Sequence, residues 1–261
     1  MTLSIGQKQQ MYDNGFIKVS GAIAPLMIDN ALRAINHSIG QGMKAEDVST
    51  MRVQSYAKEL QATPVITDLF NRTPVVSLLE SLIGEGNVRP ARGAQIALRF
   101  PEMKDPPGRP HPHLDGMHSP NNGVPKGVIQ NFTVLVGVYL SAARQDNAGS
   151  LTVWPGTHHA YERYFQEHGA EALLDGMPKV EMPKPQQLQV EPGDVVLAHY
   201  QLAHGTAPNV SAQVRYALYF RVTHPAFDRD HWQEPMKDIW MHWPGMKEIV
   251  AQARTAATEK P

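Results

Sequence analysis

The sequence predicts a mainly β fold, an antiparallel barrel or jelly roll, with helices packed on its outside. Three observations lead there. From Val88 onward, short apolar runs alternate with Pro and Gly, and most have no helical segment between them, which disfavours βαβ units. The first 87 residues instead carry apolar positions at helical spacing. With 261 residues and 42% apolar content, the chain can bury one large β-rich core. No internal repeat or low-complexity linker interrupts it. The expectation is a single domain over 1–261: residues 1–87 as helical support, 88–223 as the core and 224–261 as a covering segment.

Thr2 and Ser4 are capping types ahead of a helix that runs to Asp13, and Asn14-Gly15 ends it. Residues 16–20 alternate like a short strand. Pro25 opens a second helix, with Met27, Ala31, Leu32 and Ile35 at helical spacing up to Gly40. A third follows Thr73-Pro74, carries Val75, Leu78, Leu79 and Leu82, and stops at Gly84. Strands are predicted over 95–100, 128–140 (a long one), 150–154, 187–190, 195–200 and 214–222. Pro155-Gly-Thr-His158 reads as a tight turn between strands. The turn-rich segments 102–127 and 227–245 are long enough to serve as binding loops or lids. Residues 228–243 hold three of the four tryptophans and read as an aromatic cover for the open barrel end, and the tail after Val250 reads as frayed.

Charge and composition narrow the function. Lys+Arg number 24 against Asp+Glu 25, so the net charge of −1 gives no general attraction to nucleic acid or anionic membrane. The absence of cysteine removes disulfides, Cys-based zinc sites, iron–sulfur clusters and a thiol nucleophile. The N-terminus lacks a basic region followed by an apolar run, and no segment approaches the ~20 apolar residues of a membrane span. A cytoplasmic protein with a small-molecule substrate is expected, without nucleic-acid or membrane partners and with its oligomeric state open. Twelve histidines are the evident transition-metal ligands.

The chemistry concentrates in Arg109-Pro-His-Pro-His-Leu-Asp-Gly-Met-His118. His113 and Asp115 stand two apart, so on an extended chain both face one side and can meet at one ion. His111 and His118 have no carboxylate two residues on and rank behind. Downstream, Gln201-Leu-Ala-His-Gly-Thr-Ala-Pro-Asn209 offers His204 as a third ligand; His199 reads as a packed or hydrogen-bonded rival. Two histidines and a carboxylate on one face of an ion leave adjacent positions open, which suits iron(II) oxygenases. Arg215, eleven residues after His204, carries a planar guanidinium able to grip a carboxylate through two hydrogen bonds. Arg221 shares its parity on the strand, so periodicity does not separate the two.

His113-x-Asp115, His204-Gly-Thr and Arg215 together resemble the phytanoyl-CoA dioxygenase family of iron(II)/2-oxoglutarate oxygenases. Asn147-Ala-Gly-Ser-Leu-Thr-Val-Trp-Pro-Gly-Thr-His158 is similar to that family's Gly-x-Leu-x-x-x-Pro-Gly-(Ser/Thr)-His element, and Tyr12-Asp-Asn-Gly-Phe16 to its usual start. The resemblance spans residues 5–223. It implies a double-stranded β-helix, with iron held by His113, Asp115 and His204. It also implies that Arg215 holds the distal carboxylate of 2-oxoglutarate, assisted by the Thr206 hydroxyl. The family spacing is what selects Arg215, leaving Arg221 as an ion pair at the strand end. Dioxygen and 2-oxoglutarate would be consumed, giving succinate and carbon dioxide. A related group of halogenases has a small residue where this chain keeps Asp115, so the resemblance implies hydroxylation or another oxidation rather than halogenation. The other readings are a cupin-like hydrolase or isomerase using another metal, and a jelly-roll binding module without catalysis.

Overall fold

The computed structural model describes residues 1–103 and 105–258. Helix α1 (Ile5–Asn14) starts in a reciprocal capping box: the Ser4 hydroxyl accepts from Gln7 N, and the Gln7 side chain accepts from Ser4 N. It ends at Gly15, whose φ of 78° lets the chain turn directly into β1 (Phe16–Val19). Helix α2 (Pro25–Gly40) has proline in its first turn and buries Ile28, Ala31 and Ile35 along one face. Helices α3 (Val48–Val53), α4 (Pro64–Asn71) and α5 (Val75–Ile83) follow. The first two occupy a stretch for which the sequence reading gave no element.

The strands are β2 (Gln95–Arg99), β3 (Val134–Tyr139), β4 (Leu151–Val153), β5 (Gln186–Gln187), β6 (Val195–His199), β7 (His204–Thr206) and β8 (Arg215–Val222). Helix α6 (Thr157–His168) lies between β4 and β5, and α7 (Glu234–Lys237) and α8 (Lys247–Thr258) close the described chain. Five strands form one antiparallel sheet in the order β1-β6-β3-β8-β2, and three form a second in the order β5-β4-β7. From β3 to β8 the chain alternates between the two sheets, except at β4 and β5, which follow one another and pair directly in the smaller one. This is the jelly-roll architecture with flanking helices that the sequence predicts.

β3 is buried at all six positions because both of its faces are covered. Val134, Val136 and Val138 pack into the core shared with the helices, whereas Leu135 and Tyr139 pack into the core between the sheets. That double burial explains a strand with no polar alternation.

Four expectations need correction. The long strand over 128–140 pairs only from Val134; before it, Gln130 N donates to Gly116 O and Asn131 Nδ2 to Trp232 O, so these groups serve loops instead of a ladder. The turn expected at Pro155-Gly-Thr-His158 is the start of α6, with Gly156 at φ 79° before it and His158 fully buried. The tail after Val250 is helical to Thr258, and its last three residues lie outside the described ones. Trp240 and Trp243 do not cap the barrel end: they are buried in the helix-side core, where Trp240 stacks on Tyr12 and Trp243 on His199. Among the described residues, no helix is long and apolar enough to cross a membrane.

Candidate metal centre

His113 and His204 are brought together by backbone before side chains enter. His113 N donates to His204 O at 2.8 Å, and His204 N donates to His113 O at 3.1 Å, a single antiparallel bridge that extends the smaller sheet beyond β7. Residues directly opposite in such a pair project from the same face, and the two imidazole centroids lie 4.5 Å apart. The close approach requires Gly205, since a Cβ there would run into the His111 carbonyl.

Asp115 reaches the same point from a turn, not from an extended strand, as the i, i+2 argument assumed. Gly116 makes that turn at φ 83°, where a Cβ would also sit 2.5 Å from Gln130 O. Asp115 Oδ1 lies 3.4 Å from His113 Nε2 and 3.6 Å from His204 Nε2. One ligand atom from each of the three residues falls within 4.8 Å of the others. Atoms about 2.1 Å from one ion at right angles are about 3 Å apart, so a small inward adjustment would close the set on an ion.

The surroundings also suit a cation. His204 Nδ1 faces Leu202 O at 2.9 Å and must donate to it, which leaves the Nε2 lone pair pointing toward Asp115. Arg221 Nε and Nη2 both reach Asp115 Oδ2, at 3.0 and 2.8 Å, so Oδ1 is the oxygen left for an ion. Arg221 Nη2 also donates to Gln95 Oε1 at 3.0 Å, and Gln95 Nε2 to Val53 O at 3.0 Å. Burial opposes ionisation of Asp115, but the Arg221 guanidinium and the two imidazoles outweigh it and hold the carboxyl well below the usual carboxylate range.

The cluster opens into a cavity of ≈ 860 Å³ between the two sheets. Arg215 lies in its wall and is 3% exposed. Its Nε donates to Gly149 O at 2.6 Å and its Nη1 to Ala97 O at 3.0 Å, which aims the guanidinium without neutralising it. Among the described residues it has no carboxylate partner. A buried cation in that condition is costly unless an anion joins it. Tyr219 lines the same wall, with its buried hydroxyl beside that of Tyr139. A hydroxyl beside a guanidinium that has no carboxylate partner fits a bound carboxylate. Thr206, two residues beyond His204 on β7, lines the cavity too.

His113, Asp115, His204, Thr206 and Arg215 therefore all line one cavity. Of the rivals, His111 stays exposed and contributes its carbonyl to the packing against Gly205. His118 is on the cavity rim with Nδ1 donating to Val124 O at 2.6 Å. His199 is buried, as read, between Ile239 O and Gln201 N. Sequence reasoning missed the partner of Arg221. The ion pair at the strand end was foreseen and is present; that its partner is Asp115 was not, although the shared parity of 215 and 221 already put both on the cavity face. Gln95, Arg52, Lys58 and Arg99 were also left out and all line the cavity.

The structure resembles several solved proteins. HygX from Streptomyces hygroscopicus, solved with nickel and 2-oxoglutarate bound, matches with a TM-score of 0.60 at 18% identity, over 88% of this chain and 90% of that one. AviO1 from Streptomyces viridochromogenes Tue57 matches at 0.54 and 19%, over 85% and 96%. SnoK, a non-haem α-ketoglutarate-dependent carbocyclase from nogalamycin biosynthesis, matches at 0.52 and 14%, over 84% of each chain. At these identities the likeness is one of fold. No curated protein sequence matches this one. The sequence profile described as phytanoyl-CoA dioxygenase does match, over residues 11–217, and by that match the chain belongs to the phytanoyl-CoA dioxygenase family.

Proposed function

We propose that this protein is a non-haem iron(II)- and 2-oxoglutarate-dependent dioxygenase that hydroxylates an unactivated C–H bond of a small organic molecule. The observation that carries the reading is the convergence of His113, Asp115 and His204 on one cavity whose wall holds a buried guanidinium without an anion. In this reading the chain works as one domain, with 1–87 supporting the core and 224–261 covering it.

His113 Nε2, His204 Nε2 and Asp115 Oδ1 would hold the iron. Iron(II), 2-oxoglutarate and dioxygen, when bound, supply the oxidising chemistry, with succinate and carbon dioxide as co-products. The chain supplies the rest. The Leu202 carbonyl fixes the tautomer of His204, and Arg221 fixes the orientation of Asp115. Arg215, pre-aimed by Gly149 and Ala97, would receive the distal carboxylate of 2-oxoglutarate with Thr206 and Tyr219 nearby. The cavity is open on the side of His113, which leaves a path for substrate to the reacting centre. The binding of nickel and 2-oxoglutarate by HygX supports the choice of co-substrate. The existence of a carbocyclase among the similar folds makes the outcome at the substrate carbon the part to test. A hydrolase or isomerase using another metal would leave the Arg215 guanidinium without a role.

The deciding experiment is anaerobic reconstitution with Fe(II) and 2-oxoglutarate, then exposure to oxygen with ascorbate. Slow succinate formation is expected even without substrate, and His113→Ala or Asp115→Ala should abolish it. Stoichiometric zinc with no 2-oxoglutarate binding would refute the proposal.

A further inference from the structure

The charge of the cavity does not balance, and loading it leaves the imbalance in place. Arg52, Lys58, Arg99, Arg215 and Arg221 line it, and Asp115 is the one carboxylate among the lining residues described. Glu102 stands behind and is shared, with Oε1 2.7 Å from Arg99 Nη2 and 2.5 Å from Arg52 Nη2. Lys58 Nζ meets an amide, Gln54 Oε1, at 2.9 Å. Five cationic side chains against two carboxylates leave three positive charges unmatched. A divalent ion and a dianionic 2-oxoglutarate cancel one another, so the surplus persists in the loaded site.

The surplus is also localised. Arg221 is committed to Asp115 at one end of β8, and Arg215, at the other end, is the candidate for the co-substrate. What remains is Arg99 on β2, Arg52 on α3 and Lys58 in the short 3₁₀ turn after it. Arg99 stands directly opposite Arg215 in the β2–β8 register, an arrangement of like charges that destabilises an empty sheet. Its Nε is sealed from solvent and has no acceptor. Burial, with the neighbouring Arg52 charge, pushes the Arg99 guanidinium below its ordinary pKa. A group of this kind is stabilised by an oxyanion, which a planar guanidinium receives through paired hydrogen bonds. Met117, Met177, Leu135 and Val53 supply apolar surface elsewhere in the same cavity.

We infer that the substrate is an organic anion whose carboxylate or phosphate is received on the wall made by Arg52, Lys58 and Arg99, with its apolar body along Met117 and Leu135 toward the metal centre. The inference rests on the oxygenase reading and gives that reading a substrate class. Surplus positive charge around the mouth of a cleft also concentrates anions there and speeds their capture.

The test uses protein loaded with Ni(II) and 2-oxoglutarate, titrated by calorimetry with shape-matched pairs: hexanoate against hexanamide, and phenyl phosphate against phenol. The anionic member of at least one pair is expected to bind 10-fold or more tightly than its neutral partner and to weaken as salt is raised. The pair that responds tells carboxylate from phosphate. Arg52 and Lys58 are exposed at the cavity mouth, so the double variant R52Q/K58Q should fold. It should lose at least 10-fold in anion affinity while holding 2-oxoglutarate as tightly as before. No preference for the anion in either pair overturns the inference. So does an unchanged affinity in the double variant, or an equal fall in 2-oxoglutarate affinity, which would assign the wall to the co-substrate. If 2-oxoglutarate does not bind at all, the oxygenase reading fails, and the same pairs titrated into metal-free protein still decide the anion preference.

Discussion

Arg221 donates twice to one oxygen of Asp115, through Nε at 3.0 Å and Nη2 at 2.8 Å, and leaves the other oxygen to face two imidazoles. The carboxylate is thereby divided into a held half and a free half. A carboxylate with both oxygens free could rotate or chelate an ion through both, occupying a position that dioxygen or 2-oxoglutarate requires.

Arg221→Gln should therefore weaken metal binding by about 10-fold or more, the usual scale for losing a hydrogen-bond partner of a metal ligand. Arg221→Lys should recover only part of it, since an ammonium is a point charge and not a fork. Anaerobic titration with Co(II), followed by visible absorption, measures both the affinity and the coordination geometry. Wild-type affinity in Arg221→Gln would show that the contact to Oδ2 is irrelevant to the ion.

Arg215→Lys keeps a charge but loses the paired geometry and strands the Gly149 and Ala97 carbonyls. A charge-assisted contact of this kind is worth about 2 kcal/mol, so the 2-oxoglutarate requirement should rise roughly 30-fold. Succinate formation against 2-oxoglutarate concentration reads it directly. An unchanged requirement would show that Arg215 does not hold the co-substrate.

Gly205→Ala should separate the two imidazoles without touching either. The added methyl meets the His111 carbonyl, so the 111–113 segment must retreat from β7 and break the His113–His204 bridge. The protein should still fold, at a cost of about 1–3 kcal/mol, but should bind metal at least 10-fold more weakly. Thermal unfolding and Co(II) titration on the same sample distinguish the two effects.

Acid should destabilise the fold through buried imidazoles. Burial pushes the His199 imidazole down to about 4, and burial plus neighbouring His159 and His199 push His158 well below the ordinary range. The unfolded chain takes up these protons near pH 6.5, whereas the folded chain resists them. Stability is thus complete above about pH 6.5 and falls as pH drops toward 4. Urea midpoints should hold from pH 7.5 to about 6.5 and decline from there to pH 5; a flat profile throughout would contradict the assignment of neutral, buried rings.

Legibility in the sequence followed locality. Ser4, Gly15, Pro25 and Gly84 mark helix ends through their own backbone preferences, and the structure ends helices there. The strand over 214–222 was visible because its apolar run is bounded by turn formers. The helix at His158 was not, because Pro155-Gly156 looks the same before a turn and before a helix. The metal-ligand candidates were found from residue type and spacing. What spacing could not supply was the bridge between His113 and His204, a pairing across about ninety residues. The charge surplus was equally hidden, because Arg52, Lys58 and Arg99 converge only after α3 folds against β2. A neutral composition gave no hint of a positive interior.

His204 belongs to the three-stranded sheet, whereas Arg215 and Arg221 belong to the five-stranded one. Ion and diacid would consequently rivet one layer to the other. Ligands that bind only the folded form raise its stability as their concentration exceeds their dissociation constants, by about 2.7 kcal/mol at a hundredfold excess. The melting temperature of this protein should then climb in two steps, first with metal and again with 2-oxoglutarate, so that a simple melting curve reports how firmly the two halves of the sandwich are fastened.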